Sequence, residues 1–128
     1  MSGGTDGRPL ILLVEDNQTI RQAFTVLLED SGYRVLAAGS GKKALALSRN
    51  ASPDLILMDL GLPDARGLDL VRSLKQKEST VGIPVVAITG RALETDEEAC
   101  LEAGCAGYLT KPVNTRQLLA LIPTYLEG

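Results

Sequence analysis

Short runs of apolar residues recur along this chain, each too brief for a helix and each followed by polar residues. The runs Leu10-Ile11-Leu12-Leu13-Val14, Leu55-Ile56-Leu57-Met58 and Val85-Val86-Ala87-Ile88 are unbroken. That is the pattern of strands buried on both faces. Residues 33–38 and 107–109 read as two further strands. Between these runs the period changes. Ile20, Phe24, Leu27 and Leu28 recur at helical spacing until Ser31-Gly32 stops them, and Leu68, Val71 and Leu74 mark another helix face. Residues 42–49, 93–103 and 115 to about 125 complete the set, with Pro123 leaving the end of the last helix open because it lacks a backbone donor.

Five strands alternating with five helices in 128 residues leave room for one architecture, a parallel α/β sheet covered by helices on both faces. A chain of this length, 45% hydrophobic, buries a core without a metal or disulfide staple. Residues 10–126 are expected to form a single domain, after a flexible, polar, glycine-rich tail at 1–9 and before a two-residue end at 127–128. In doubly wound sheets the working crevice lies outside the carboxyl ends of the strands. Chemistry-bearing residues stand at four such ends: Glu15-Asp16, Asp59, Thr89 and Lys111. The second strand ends in Ala38-Gly39-Ser40 and brings no charge.

Composition removes several function classes. Histidine is absent, which excludes histidine metal ligands, Ser-His triads and histidine bases. A formal charge of -3 and a pI near 4.9 argue against a nucleic-acid-binding surface. Lys42-Lys43 and Lys75-Gln76-Lys77 read as solvated helix faces. No apolar run reaches membrane-spanning length. Cys100 and Cys105 fit neither a CxxC redox pair nor half a zinc site. They read as packing thiols at the end of a helix, and suit the reducing cytoplasm.

Three carboxylates meeting at one sheet edge repel one another unless a cation lies among them. Glu15, Asp16 and Asp59 offer hard oxygen ligands of the kind that Mg²⁺ accepts. Helix capping competes for the first pair, since Asp16 or Asn17 could accept N–H groups at the start of the first helix. Asp59 has no packing reason to end an apolar strand. With Thr89 and Lys111 nearby, it reads as a nucleophile toward phosphorus, forming an acyl phosphate. The lysine ammonium and threonine hydroxyl would meet the oxygens of the incoming group. Taken singly, Lys111 is an ordinary surface lysine and Thr89 an ordinary strand residue. Pro112 fixes the turn after Lys111 in either peptide isomer. Gly90, lacking a Cβ, would let a bulky group approach.

The segments LLVEDN (12–17), LILMDLGLPDARGLDL (55–70), VVAITG (85–90) and GYLTKP (107–112), in this order and at these separations, resemble the receiver domains of two-component response regulators, CheY-like proteins. The resemblance spans about Leu10 to Leu126. It implies a flavodoxin-like (βα)5 fold with strand order 2-1-3-4-5. It puts the acidic pair on Glu15 and Asp16, the phosphorylated aspartate on Asp59 and a metal-ligating backbone carbonyl on Gly61. The switch hydroxyl falls on Thr89, the lysine on Lys111 and the mobile aromatic on Tyr108, with Pro63 and Gly67 turning into the third helix. It further implies Mg²⁺ as cofactor and a sensor histidine kinase or histidine phosphotransfer protein as donor, docking around Thr19, Ile20, Pro112 and Val113. The downstream partner is a protein bound through the fourth helix, fifth strand and fifth helix, a face through which homodimers also form.

Gly61, Gly90 and Arg91 depart from the commonest family pattern. Gly90-Arg91 is expected to alter the phosphorylated lifetime. The chain reads as a stand-alone receiver or an excised part of a larger protein. Three other functions compete: a receiver-like adaptor that works without phosphorylation, a Mg²⁺-dependent phospho-aspartyl hydrolase, and a flavodoxin-like cofactor binder. The hydrolase would need a cap and a second acid–base carboxylate. The cofactor binder would need a glycine- or hydroxyl-rich phosphate loop where EDN stands.

Overall fold

The computed structural model describes residues 7–62, 67–90 and 97–127, and the elements run β1 (Leu10–Val14), α1 (Gln18–Asp30), β2 (Arg34–Ala38), α2 (Gly41–Ala51), β3 (Leu55–Asp59), α3 (Gly67–Lys75), β4 (Val85–Thr89), α4 (Glu97–Ala103), β5 (Gly107–Thr110) and α5 (Thr115–Glu127). The strands form one sheet in the order β2-β1-β3-β4-β5. Every pairing is parallel, with Leu12 opposite Leu36 and Ile56, Met58 opposite Ala87, and Ala87 opposite Tyr108. The expected doubly wound sheet is therefore present, with order reversal beside β1 and β3.

Strand alternation sorts the core into two layers. Leu12, Val14, Ile56, Met58, Val85 and Ala87 pack with Ala44 of α2, Leu70, Val71 and Leu74 of α3, and Cys100 and Ala103 of α4. Their sequence neighbours Ile11, Leu13, Leu55, Leu57, Val86 and Ile88 face the other way, onto Phe24 and Leu28 of α1 and Leu118 and Ile122 of α5. The central strands β1, β3 and β4 are buried throughout because both faces are used.

Local chemistry sets the helix ends. Asn17 caps α1, its Oδ1 accepting the Ile20 N–H at 2.9 Å, and Ser40 caps α2 through the Lys43 N–H at 3.2 Å. Gly32 ends α1 at φ +99°, a conformation that glycine tolerates without a steric penalty. The last helix continues through Pro123 to Glu127, further than the proline suggests. Pro123 is exposed, whereas Ile122 is buried and Tyr125 and Leu126 lie against the core. Packing of those neighbours outweighs one lost backbone bond in the final turn. The helix ends at Ala103 as expected, with Cys100 inside it and Cys105 just beyond, in the loop before β5. The expected start of α4 at residue 93 lies outside the described residues.

Lys75 also departs from its reading as a solvated charge. Its Nζ donates to Val81 O at 3.1 Å and Ile83 O at 2.6 Å, closing the loop between α3 and β4. Burial pushes this ammonium down from its ordinary range, against a smaller upward pull from Cys105.

Both cysteines are buried and neither forms a disulfide. Burial, followed by the neighbouring Cys100, pushes the Cys105 thiol up to about 12. At pH 8 its thiolate fraction is then on the order of 10⁻⁴, so native Cys105 should alkylate about a thousandfold slower than an ordinary cysteine. Timed iodoacetamide labelling with peptide mapping checks this, and rapid labelling of the folded protein contradicts it. Gly67 carries a second expectation. A Cβ there would stand 2.6 Å from both Cα and Cδ2 of Leu60, so Gly67→Ala must push the turn after β3 outward. The expected loss is about 1–3 kcal/mol in urea unfolding. An unchanged midpoint would mean that the turn yields freely.

Candidate functional site

The carboxyl ends of β1, β3, β4 and β5 deliver their polar residues to one place. The Glu15 N–H donates to Ala38 O of β2 at 2.9 Å, which directs the chain out of β1. The Glu15 carboxylate is buried at 4% exposure, and its Oε2 accepts the Asn17 N–H at 3.0 Å. Asp16 is exposed, and because Asn17 caps α1, capping does not consume its carboxylate. Asp59, the last residue of β3, is equally buried at 4%. Its Oδ1 accepts the Gly61 N–H at 2.9 Å, and its Oδ2 receives Lys111 Nζ at 3.2 Å. Carboxylate oxygens of Glu15, Asp16 and Asp59 all lie within 4.8 Å of one another.

Lys111 follows β5 and reaches back across the crevice. Its Nζ is 3.6 Å from Glu15 Oε1 as well as bonded to Asp59. The Lys111 backbone N–H donates to Thr89 O at 2.8 Å, so the lysine and the threonine share one rung of the sheet. Thr89 is buried at the end of β4. The Lys111–Pro112 peptide is cis. Tyr108 is half-buried opposite Ala87 and packs on the layer beneath α2, α3 and α4. Alternation along β4 puts Thr89 on that same face.

Electrostatics follow from this crowding. Burial raises the Glu15 carboxyl above its usual range. The Asn17 N–H opposes the rise, the Asp59 charge adds to it and Lys111 opposes it. Partial burial pulls the Lys111 ammonium down, but Asp59 and Glu15 more than offset this, and the net displacement is upward. Glu15 therefore holds its proton more tightly folded than unfolded. Its contribution to stability is present at low pH and fades as pH rises through the folded value.

Three close carboxylates, one of them made harder to ionise, suit a divalent cation that would offset their repulsion. The donors are all oxygens, as Mg²⁺ requires, and the Gly61 carbonyl stands two residues past Asp59. The residues fit the ion.

Other expected positions fare differently. A Cβ on Gly90 would make ordinary contact with Lys111 Cδ at 3.7 Å, so this glycine is no steric requirement. At Gly61 a Cβ would lie 3.5 Å from Asp59 Oδ1, which also accommodates a side chain. Ile20 is half-buried and belongs to neither core layer among the described residues. Pro63 and Arg91 lie outside the described residues. Arg21 is an addition that the sequence reading lacked. Its Nη1 donates to the carbonyl oxygens of Glu15, at 2.9 Å, and Asp16, at 3.3 Å. The only signal was a basic residue one turn into the helix that follows an acidic pair.

The model of the response regulator receiver domain family matches residues 11–123. The chain belongs to that family: it is a CheY-like receiver domain of the two-component type. Among curated proteins it is 40% identical over 116 residues to the polar-differentiation response regulator DivK of Brucella ovis, covering 91% of this chain and 94% of that protein. Among solved structures it is similar to a CheY-like receiver domain protein from Methanospirillum hungatei, with TM-score 0.88, 32% identity, and coverage of 94% and 95% of the two chains. The receiver domain of a sensor histidine kinase from Pseudomonas aeruginosa aligns with TM-score 0.87 and 33% identity, covering 95% of this chain and all 100% of that one; its structure holds a magnesium ion in the active site cleft.

Because a bound cation needs Glu15 ionised, Mg²⁺ affinity should weaken as pH falls from 7 toward the ordinary carboxylate range, about 4–5. Binding there should release protons. Calorimetric titration with Mg²⁺ in two buffers of different ionisation enthalpy reads both effects. Affinity that does not change with pH would place the ion elsewhere.

Proposed function

We propose that Asp59 accepts a phosphoryl group from a phosphohistidine on a sensor histidine kinase or histidine phosphotransfer protein, and that the phosphorylated chain acts as a protein-interaction switch. One observation carries the reading. A buried aspartate at a strand end lies within 4.8 Å of two further carboxylates and 3.2 Å from a lysine ammonium. A structural ion pair needs no such group of acids.

In the transfer, an Asp59 carboxylate oxygen attacks phosphorus. An acyl O–P bond forms while the donor's N–P bond breaks, and the departing imidazole keeps the electron pair and takes up a proton. Glu15, Asp16, Asp59 and the Gly61 carbonyl are the residues that would hold Mg²⁺, which supplies positive charge beside the phosphoryl oxygens. Lys111, whose ammonium donates to Asp59 Oδ2, would turn that ammonium to pair with a phosphoryl oxygen. The Thr89 hydroxyl serves a further oxygen, and its displacement lets Tyr108 move. The protein is its own substrate, so this is self-modification and not turnover of a separate compound.

The partner for the output is a protein that docks on α4, β5 and α5, where Leu101 is exposed; a second copy of the chain is one such partner. Residues 10–126 make up the receiver unit. We assign it to the cytoplasm, supported by two buried cysteines that form no disulfide. Among the described residues no helix is long and apolar enough to cross a membrane.

Incubation with acetyl phosphate and Mg²⁺, followed by intact-mass analysis, should show one added phosphoryl group. It should be lost with chelator and in Asp59→Asn, while Lys111→Ala slows its appearance by about 10²-fold. Equal labelling of Asp59→Asn would sink the assignment. Partner binding unchanged by Asp59→Asn would instead favour an adaptor that ignores phosphorylation.

A further inference from the structure

The loop from Glu15 to Asn17 is held from several sides, and one of those holds has no part in the site described above. Arg21 stands on the first turns of α1, and its backbone N–H donates to Asn17 O at 2.9 Å in the ordinary helical manner. Its side chain turns back toward the start of the helix, where Nη1 donates to Glu15 O at 2.9 Å and Asp16 O at 3.3 Å. The positive end of a helix dipole disfavours a cation there. The two carbonyls must therefore repay that cost. They belong to the two acidic residues themselves.

A second, independent observation comes from β2. Gly39 follows that strand, and a Cβ on it would stand 3.0 Å from Arg21 Nη1 and 3.5 Å from Arg21 Cζ. The guanidinium thus sits close to the bare backbone of Gly39, Nη1 nearest, where a side chain at 39 would press on it. The neighbouring Ala38 O accepts the Glu15 N–H. The end of β2, which contributes no charge to the crevice, instead forms the wall against which the arginine is seated.

We infer that Arg21, seated on Gly39, is a positioning residue that fixes the Glu15 and Asp16 main chain so that both carboxylates converge on Asp59 for a divalent cation. This rests on the Mg²⁺ site proposed above. The arginine touches neither carboxylate in this role. It clamps the carbonyl side of the same two residues, leaving their side chains directed by a backbone that cannot rotate. Losing a partner that orients a ligand commonly lowers metal affinity about 10–100-fold.

Calorimetric titration with Mg²⁺ tests the inference on Arg21→Ala, Gly39→Ala and the double variant, with thermal unfolding of each in chelator. Arg21→Ala should weaken Mg²⁺ affinity about tenfold. Gly39→Ala should weaken it only slightly, in the same direction, because the new methyl, 3.0 Å from Nη1, presses the guanidinium aside by a few tenths of an ångström. Adding Gly39→Ala to Arg21→Ala should then change affinity no further, since the clamp is already gone. Arg21→Lys, which keeps a donor on a shorter reach, should recover part of the loss.

A lowered thermal midpoint with unchanged Mg²⁺ affinity would reduce Arg21 to a structural anchor and overturn the inference. So would independent, additive effects of the two substitutions. Should Arg21→Ala fail to fold, Arg21→Met, which keeps the stem but has no donors, decides alone: unaltered affinity in it refutes the clamp. If the unsubstituted protein bound no Mg²⁺, the metal site itself would fall, an outcome distinct from failure of the arginine's role.

Discussion

Like charges forced together at the edge of a parallel sheet are the constraint from which the rest of this domain follows. Glu15 and Asp59 are each 4% exposed, so water can do little to separate their fields. Lys111 offsets part of the repulsion from 3.2 and 3.6 Å. Burial, with the Asp59 charge adding to it, leaves Glu15 reluctant to ionise. Such an arrangement gains by taking in positive charge, and a phosphoryl group accompanied by a divalent cation changes the balance at every residue in the crevice. The fold supplies the burial that makes the charges costly. It also supplies the five rigid strands that prevent them from moving apart.

Much of this was legible before any coordinates. An unbroken apolar run of four or five residues is a strong sign of a strand buried on both sides, and β1, β3 and β4 all appear where such runs stand. The chemistry was legible for a related reason. A charged or hydroxyl residue at the end of such a run breaks a pattern that packing alone would continue, and Asp59 and Thr89 did so. The receiver resemblance then joined residues that no local pattern connects.

What escaped reading depended on contacts with no periodic trace. Asp16 and Asn17 are equally good caps on paper, and only backbone direction out of β1 decides for Asn17. Pro123 left the end of the last helix open, and burial of its neighbours carries the helix on to Glu127. Lys75 looked like solvent-facing charge, because nothing in a lysine's neighbours announces that its amine will close a distant loop. Arg21 belongs with these. Its contacts run back to residues five and six positions earlier, a spacing that belongs to neither helix nor strand.

The register between β4 and β5 has a further consequence. Ala87 lies directly across from Tyr108, and Thr89 is two residues along on the same face, so the hydroxyl and the phenol are diagonal neighbours over a single methyl group. A bulkier residue at position 87 would therefore crowd the tyrosine across the strand pair and the threonine along it at the same time.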